Sequence, residues 1–212
     1  AALIVAMMGI GGARAIGGVY IMSAWKIRDS VVSEQALTAA HAMAAEQARL
    51  STLWWPFDAY AWDTFGALQL ETALATTNAN RINDARFSAN AFEKATKLAP
   101  GQPAFWMRRA AAELASGRNH AAARSLEKSL SVGALHPQAL LFRLQLGLLL
   151  WPDMSSRMRT ELVAQAIGAL SLPNSRAAAR VLRNAPPELR SSVFLKLSPE
   201  ERIKLVNEIR VR

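Results

Sequence analysis

Cysteine is absent from this 212-residue chain, so neither disulfides nor thiolate metal sites contribute to its fold. Histidine occurs three times, at His41, His120 and His136, far apart and without carboxylates at metal-ligand spacing. That scatter argues against a metal centre. No phosphate loop, nucleophile elbow or groove-reading nucleic-acid motif is present. Gly9, Gly11 and Gly12 lie inside an apolar run rather than after a strand, which removes a nucleotide fingerprint by context. The tetrapeptide from Ser125 to Lys128 matches S-x-x-K without its companion motifs, and a surface helix supplies it freely. The chain is read as non-catalytic, with no cofactor. Acidic residues are sparse in the second half: Lys+Arg and Asp+Glu number 8 and 8 in residues 1–100, then 17 and 8 in residues 101–212. The whole net charge of +9 therefore lies there.

What is present is a globular composition, 51% hydrophobic and 19% charged, with length enough for one compact domain. Residues 1–25 carry Arg14 as their only charge. As a helix they would run roughly 37 Å, more than the hydrocarbon core of about 30 Å. They are expected to form an uncleaved, single-pass transmembrane anchor, because no small-x-small cleavage site follows a short apolar core. Gly9, Ala13 and Gly17 recur every four residues and set a stripe that another helix can approach closely. Arg14 borders that stripe beside Gly18. A mid-membrane guanidinium faces protein, water or a counter-charge, so Arg14 points to an integral membrane partner, with snorkelling as the alternative.

Residues 26–55 read as an amphipathic connecting helix capped by Asp29 or Ser30, with Val32, Ala36, Ala40, Met43, Leu50 and Trp54 on its apolar stripe. Near the other end, Leu140 to Leu150 is apolar almost all round, interrupted by Arg143 and Gln145, and is expected to be the most buried helix, closed by Pro152. Met158, Leu162, Ala166, Ile167 and Leu170 line its partner. Residues 172–212 hold three short capping helices, the last starting at a Ser198/Glu201 capping box with Pro199 at its first position.

The middle of the chain carries a repeat pattern. Trp62, Phe65 and Gly66 stand at the offsets that open a tetratricopeptide unit, and Phe92, Ala95 and Pro100 at those that close one. Trp106, Gly117, Ala122 and Leu126 mark a second unit, in which Arg109 and Ala110 replace the Leu-Gly pair. A third, degenerate unit begins at Pro137. The chain thus resembles tetratricopeptide-repeat proteins over residues 56–171. About ten extra residues separate the two helices of its first unit. The resemblance implies an all-α fold, a transmembrane helix followed by an α-solenoid of about three helix pairs and short caps, with Trp62 and Trp106 wedged into the packing.

It also implies a concave groove lined by first-helix positions: Tyr60, Asp63, Ala67, Leu70, Met107, Ala111, Leu114, Gln138, Leu141 and Leu148. This apolar surface suits a hydrophobic helix or peptide, from a partner or from residues 30–54 of the same chain. Arg108, Arg118, Arg124, Arg157, Arg159, Arg176, Arg180 and Arg183 would lie on outer faces, open to solvent, anionic lipid, acidic polysaccharide or an acidic subunit. Nucleic acid is disfavoured. Anchored repeat proteins of this type are similar to accessory components of bacterial cell-envelope and polysaccharide assembly. The expectation is an accessory scaffold in the bacterial inner membrane, bound to an integral membrane complex. The alternative is a tethered module that recruits a client through the groove. The resemblance favours a periplasmic domain, whereas Lys26 and Arg28 favour a cytoplasmic one.

Overall fold

A computed structural model describes residues 13–20, 22–24, 34–75, 80–133, 137–171 and 175–210, and every regular element among them is helical. Residues 13–20 form α1, and 22–24 are helical too. There follow α2 (Glu34–Trp54), α3 (Ala59–Ala75), α4 (Arg81–Leu98), α5 (Pro103–Ala115), α6 (Asn119–Val132) and α7 (Pro137–Leu149). A 3-10 turn at Trp151–Asp153 leads to α8 (Ser156–Leu170), α9 (Ser175–Arg183), α10 (Pro187–Lys196) and α11 (Pro199–Arg210). Each helix from α2 to α8 packs on the next, and α3, α5 and α7 also meet in that order. The arrangement is solenoid-like: neighbours complete each other's core. At the far end α9 and α10 pack on α8, and α11 on α9.

Local chemistry sets the boundaries. Pro103 opens α5, where a missing N–H costs nothing. Gly117 closes it at φ 76°, a left-handed conformation that glycine adopts without a Cβ penalty. There the Arg118 N–H donates to the Glu113 carbonyl and the Gly117 N–H to that of Leu114, both at 2.9 Å, which satisfies the last carbonyls. The Ser198 N–H donates to Glu201 Oε2 at 2.8 Å, and the Glu201 N–H donates to Ser198 Oγ at 3.3 Å, completing the expected capping box. The extra residues of the first unit are largely absorbed as helix, since α3 and α4 run 17 and 18 residues against 13 and 14 in α5 and α6.

Close approach within pairs depends on missing side-chain atoms. A Cβ on Gly66 would lie 3.0 Å from the Phe92 ring, and one on Gly147 would lie 2.5 Å from Leu162 Cδ2. Buried Ser88 fastens the first contact by donating to the Gly66 carbonyl at 2.6 Å. Trp62 and Trp106 are half-buried, not wedged into the core. Each indole instead reaches back across a turn: Trp62 Nε1 donates to the Pro56 carbonyl at 2.9 Å, and Trp106 Nε1 to that of Pro100 at 2.8 Å.

The transmembrane expectation is corrected. Among the described residues, no helix is long and apolar enough to cross a membrane. The small-residue stripe has a different use. Gly17 is buried against α2, where a Cβ would meet Trp55 Cβ at 3.2 Å and the Ser51 carbonyl at 3.4 Å. Ala24 joins Ala44, Ala45, Ala48 and Leu68 in one buried cluster. Small residues that suit a membrane neighbour suit an intrachain neighbour equally well.

Two further expectations change for related reasons. In α2 the buried face is Ala44, Ala45, Ala48, Ser51 and Thr52, while Met43 and Trp54 are exposed. Small side chains let α2 sit close to α3, and the bulky ones turn outward. In α7 the apolar residues Phe142 and Leu149 are exposed, whereas Arg143 is completely buried. Its guanidinium donates to the Ser129 carbonyl (2.9 Å) and Oγ (3.1 Å), the Gly133 carbonyl (3.3 Å) and Gln165 Oε1 (3.2 Å). Arg143 thus satisfies carbonyls at the C-terminal end of α6, where the helix dipole favours a cation. Burial pulls its pKa down to about 10, against the opposing influence of Glu161, so it remains charged near neutrality.

Candidate functional site: the face of α3, α5 and α7

The groove positions fall on α3, α5 and α7, which lie side by side. Tyr60 is exposed at the start of α3, and its ring meets buried Phe105 of α5 edge-on at 5.3 Å. One turn on, buried Asp63 pairs through Oδ2 with Arg108 Nη1 of α5. Leu70 is half-buried against Ala89, Phe92 and Ala112. Met107 belongs to the large core cluster, and half-buried Leu114 and Leu148 pack on it. Leu141 is also half-buried. The side chain of Gln138 lies outside the described residues. The site is therefore a shallow, mostly apolar face with one exposed aromatic and one ion pair.

The Asp63–Arg108 pair is the polar feature of this face. Oδ2 is taken by Arg108, but Oδ1 is buried without a hydrogen-bond partner. Burial pushes the carboxyl up to about 6, overcoming the pull of the guanidinium. A buried acceptor left open is expensive, on the order of 1–3 kcal/mol. Helix α2 packs on α3 through Phe65 and Leu68, on the side of the first helix pair. It has no comparable packing on α5 or α7 among the described residues.

Of the basic residues expected on outer faces, Arg118, Arg124, Arg157, Arg176 and Arg180 are exposed and Arg183 is half-buried. Arg108 serves the groove instead. Arg159 lies over the Trp151 ring at 5.0 Å and donates to the Trp151 carbonyl at 3.1 Å. Sequence reasoning missed a network between α4, α5 and α6. Arg109 Nε donates to Glu113 Oε1 at 2.9 Å, and Ser125 Oγ donates to Glu113 Oε2 at 2.6 Å. Arg109 also lies 5.6 Å from the centroid of the Trp106 ring. The i,i+4 spacing of Arg109 and Glu113 was its available signal.

Ser125 is thus a buried hydroxyl held by a carboxylate, while Lys128 of the same S-x-x-K stretch is exposed. Exposed His120 faces Asp153 at 3.1 Å. Among the described residues, no cluster of His, Asp and Glu could hold a metal ion. Two clefts lie away from the groove. One, of about 550 Å³ between α6 and α8, has a mixed-charge rim of Arg124, Lys128, Arg157, Glu127 and Glu161. The other, of about 520 Å³, is apolar and lies among α9, α10 and α11 beside Leu182, Val193 and Leu205. Of the anchor positions, Ala13 is half-buried, Gly17 is buried, Arg14 and Gly18 are exposed, and Gly9 lies outside the described residues. No protein-family model matches the chain, and no curated protein matches it.

Proposed function

We propose that this protein is a non-catalytic helical-repeat scaffold of the tetratricopeptide type, receiving an apolar segment of a partner protein along α3, α5 and α7. One observation carries the reading: half-buried Leu70, Leu114, Leu141 and Leu148 share the face of α3, α5 and α7 with exposed Tyr60, and the Asp63–Arg108 pair is the polar feature among them. The bound segment would lay aliphatic side chains against Leu70, Leu114 and Leu148. Arg108, partly exposed in its ion pair, would keep the Asp63 carboxylate oriented. Such a scaffold acts as an accessory subunit of a larger assembly. The resemblance to accessory proteins of envelope polysaccharide assembly makes that class of complex the first place to seek the partner.

A photo-crosslinking side chain at exposed Tyr60 tests this against one at exposed Lys128 on α6. In cells, the Tyr60 probe is expected to give one discrete adduct that Leu114→Asp abolishes, and the Lys128 probe none of the same mass. Equal labelling from both positions, or an adduct indifferent to Leu114→Asp, would refute the groove assignment.

A further inference from the structure

We infer that the apolar cleft among α9, α10 and α11 is a binding site for one fatty acid, whose alkyl chain lies along the cleft and whose carboxylate meets Arg190. The cleft holds about 520 Å³, inside the range of roughly 300–1,000 Å³ typical of small-ligand sites. Buried Leu182, Val193 and Leu205 form its floor. Helix α11 adds half-buried Val206 and Ile209, and α10 adds exposed Phe194 and Leu195, the latter at 73%. Arg202 ties α11 to the end of α10, so the two sides keep their places. It donates to the carbonyls of Leu197 at 2.9 Å and Leu195 at 3.0 Å, and its guanidinium lies 5.2 Å from the centroid of the Phe194 ring.

The polar side chains that line the cleft are Arg190 and Ser191, neighbours on α10, and both can donate. Both are exposed, and neither side chain makes a hydrogen bond or ion pair among the described residues. No carboxylate is among the described residues that line the cleft. Those close by in sequence are engaged elsewhere: Glu188 accepts from Trp151 Nε1 at 3.1 Å, and Glu208 from Ser175 Oγ at 2.9 Å. An apolar cavity with a cation and a hydroxyl at one edge selects an apolar body with one anionic end. A peptide is a poor occupant. The walls are helix faces whose backbone groups bond within their own helices, so a peptide's amides would be buried unpaired. An alkyl chain carries no such groups. This inference is independent of the groove on α3, α5 and α7.

Fluorescence titration of the full chain with cis-parinaric acid, below the concentration at which it forms micelles, tests it. The wild-type chain is expected to bind one equivalent. Palmitate should displace the probe, and methyl palmitate should do so about fivefold less well, the scale of one exposed ion pair. Among straight-chain carboxylates from octanoate upward, displacement should strengthen about threefold per added methylene until the cleft is filled. Arg190→Gln should weaken binding of the acid about fivefold and leave that of the ester unchanged. Val206→Trp, which fills the cleft, should weaken both about tenfold or more. Arg124→Gln, in the cleft between α6 and α8, should change neither. Circular dichroism verifies that each variant is folded, and Arg190→Gln, at an exposed position, keeps the test decisive should Val206→Trp fail to fold. A wild-type chain that does not bind the probe, or variants that bind it as the wild type does, would overturn the inference, as would equal displacement by acid and ester. Binding that begins only when residues 211–212 are deleted assigns the cleft to the chain's own end, and a dimer that Leu195→Ser dissociates assigns it to a second copy. Either result overturns the fatty-acid site.

Discussion

Gly147 in α7 faces Leu162 of α8 so closely that a single methyl group should register in the stability of the whole stack. A Cβ there would stand 2.5 and 2.7 Å from the Leu162 methyls, and Leu162 is fully buried, so the packing around it must shift. Overpacking of this kind typically costs about 1–3 kcal/mol. Alanine in a helix interior returns about 1 kcal/mol relative to glycine. The net for Gly147→Ala is a loss of about 1 kcal/mol, or a fall in Tm of roughly 2–4 °C for a chain of this size. Gly168→Ala is the control on the neighbouring helix, since its Cβ would meet nothing within 4 Å. It should gain up to about 1 kcal/mol. Gly66→Ala, at 3.0 Å from the Phe92 ring, should fall between them. Thermal unfolding followed by circular dichroism gives the order. If Gly147→Ala proves as stable as Gly168→Ala, close approach is not what holds α7 to α8.

Asp63 should give the protein a pH signature. Its carboxyl titrates near 6 in the fold against 3.8 when free, so the folded state keeps its proton longer than the unfolded one. The contribution is therefore favourable at low pH and is lost as pH rises from about 4 to about 6. Asp63→Asn should flatten that fall in stability, as read by urea midpoints across the range; an unchanged slope would place the titration elsewhere. Arg143→Leu should destabilise by on the order of 2–3 kcal/mol, because the carbonyls of Ser129 and Gly133 lose a charged donor. A Tm within a degree of wild type would show that those carbonyls find water instead.

Prolines, glycines and capping residues made most helices legible in the sequence, because their signals act within a few positions. The Ser198/Glu201 box, with Pro199 at the first helical position, forms as expected. The transmembrane expectation failed among the described residues because hydropathy cannot distinguish small residues that face a membrane neighbour from ones, such as Gly17 and Ala24, that pack on their own chain. The α2 stripe failed in a related way. Alanine and serine weigh little on a hydropathy scale, yet they decide how closely two backbones meet. Arg143 looked like a break in an apolar face because the carbonyls that receive it sit at the end of another helix. The expected groove positions fall on α3, α5 and α7. The Asp63–Arg108 pair, which joins α3 to α5, has no local signature.

The indole-to-proline hydrogen bonds at Trp62 and Trp106 bear on how the stack would respond to force. One closes the turn from α2 into α3 and the other the turn from α4 into α5, so each of these connections is held by a side chain as well as by its backbone. Inside the pairs, Gly66 and Gly147 bring the helices so close that sliding has little room, so a load on the stack would meet resistance both at these turns and at the pair contacts.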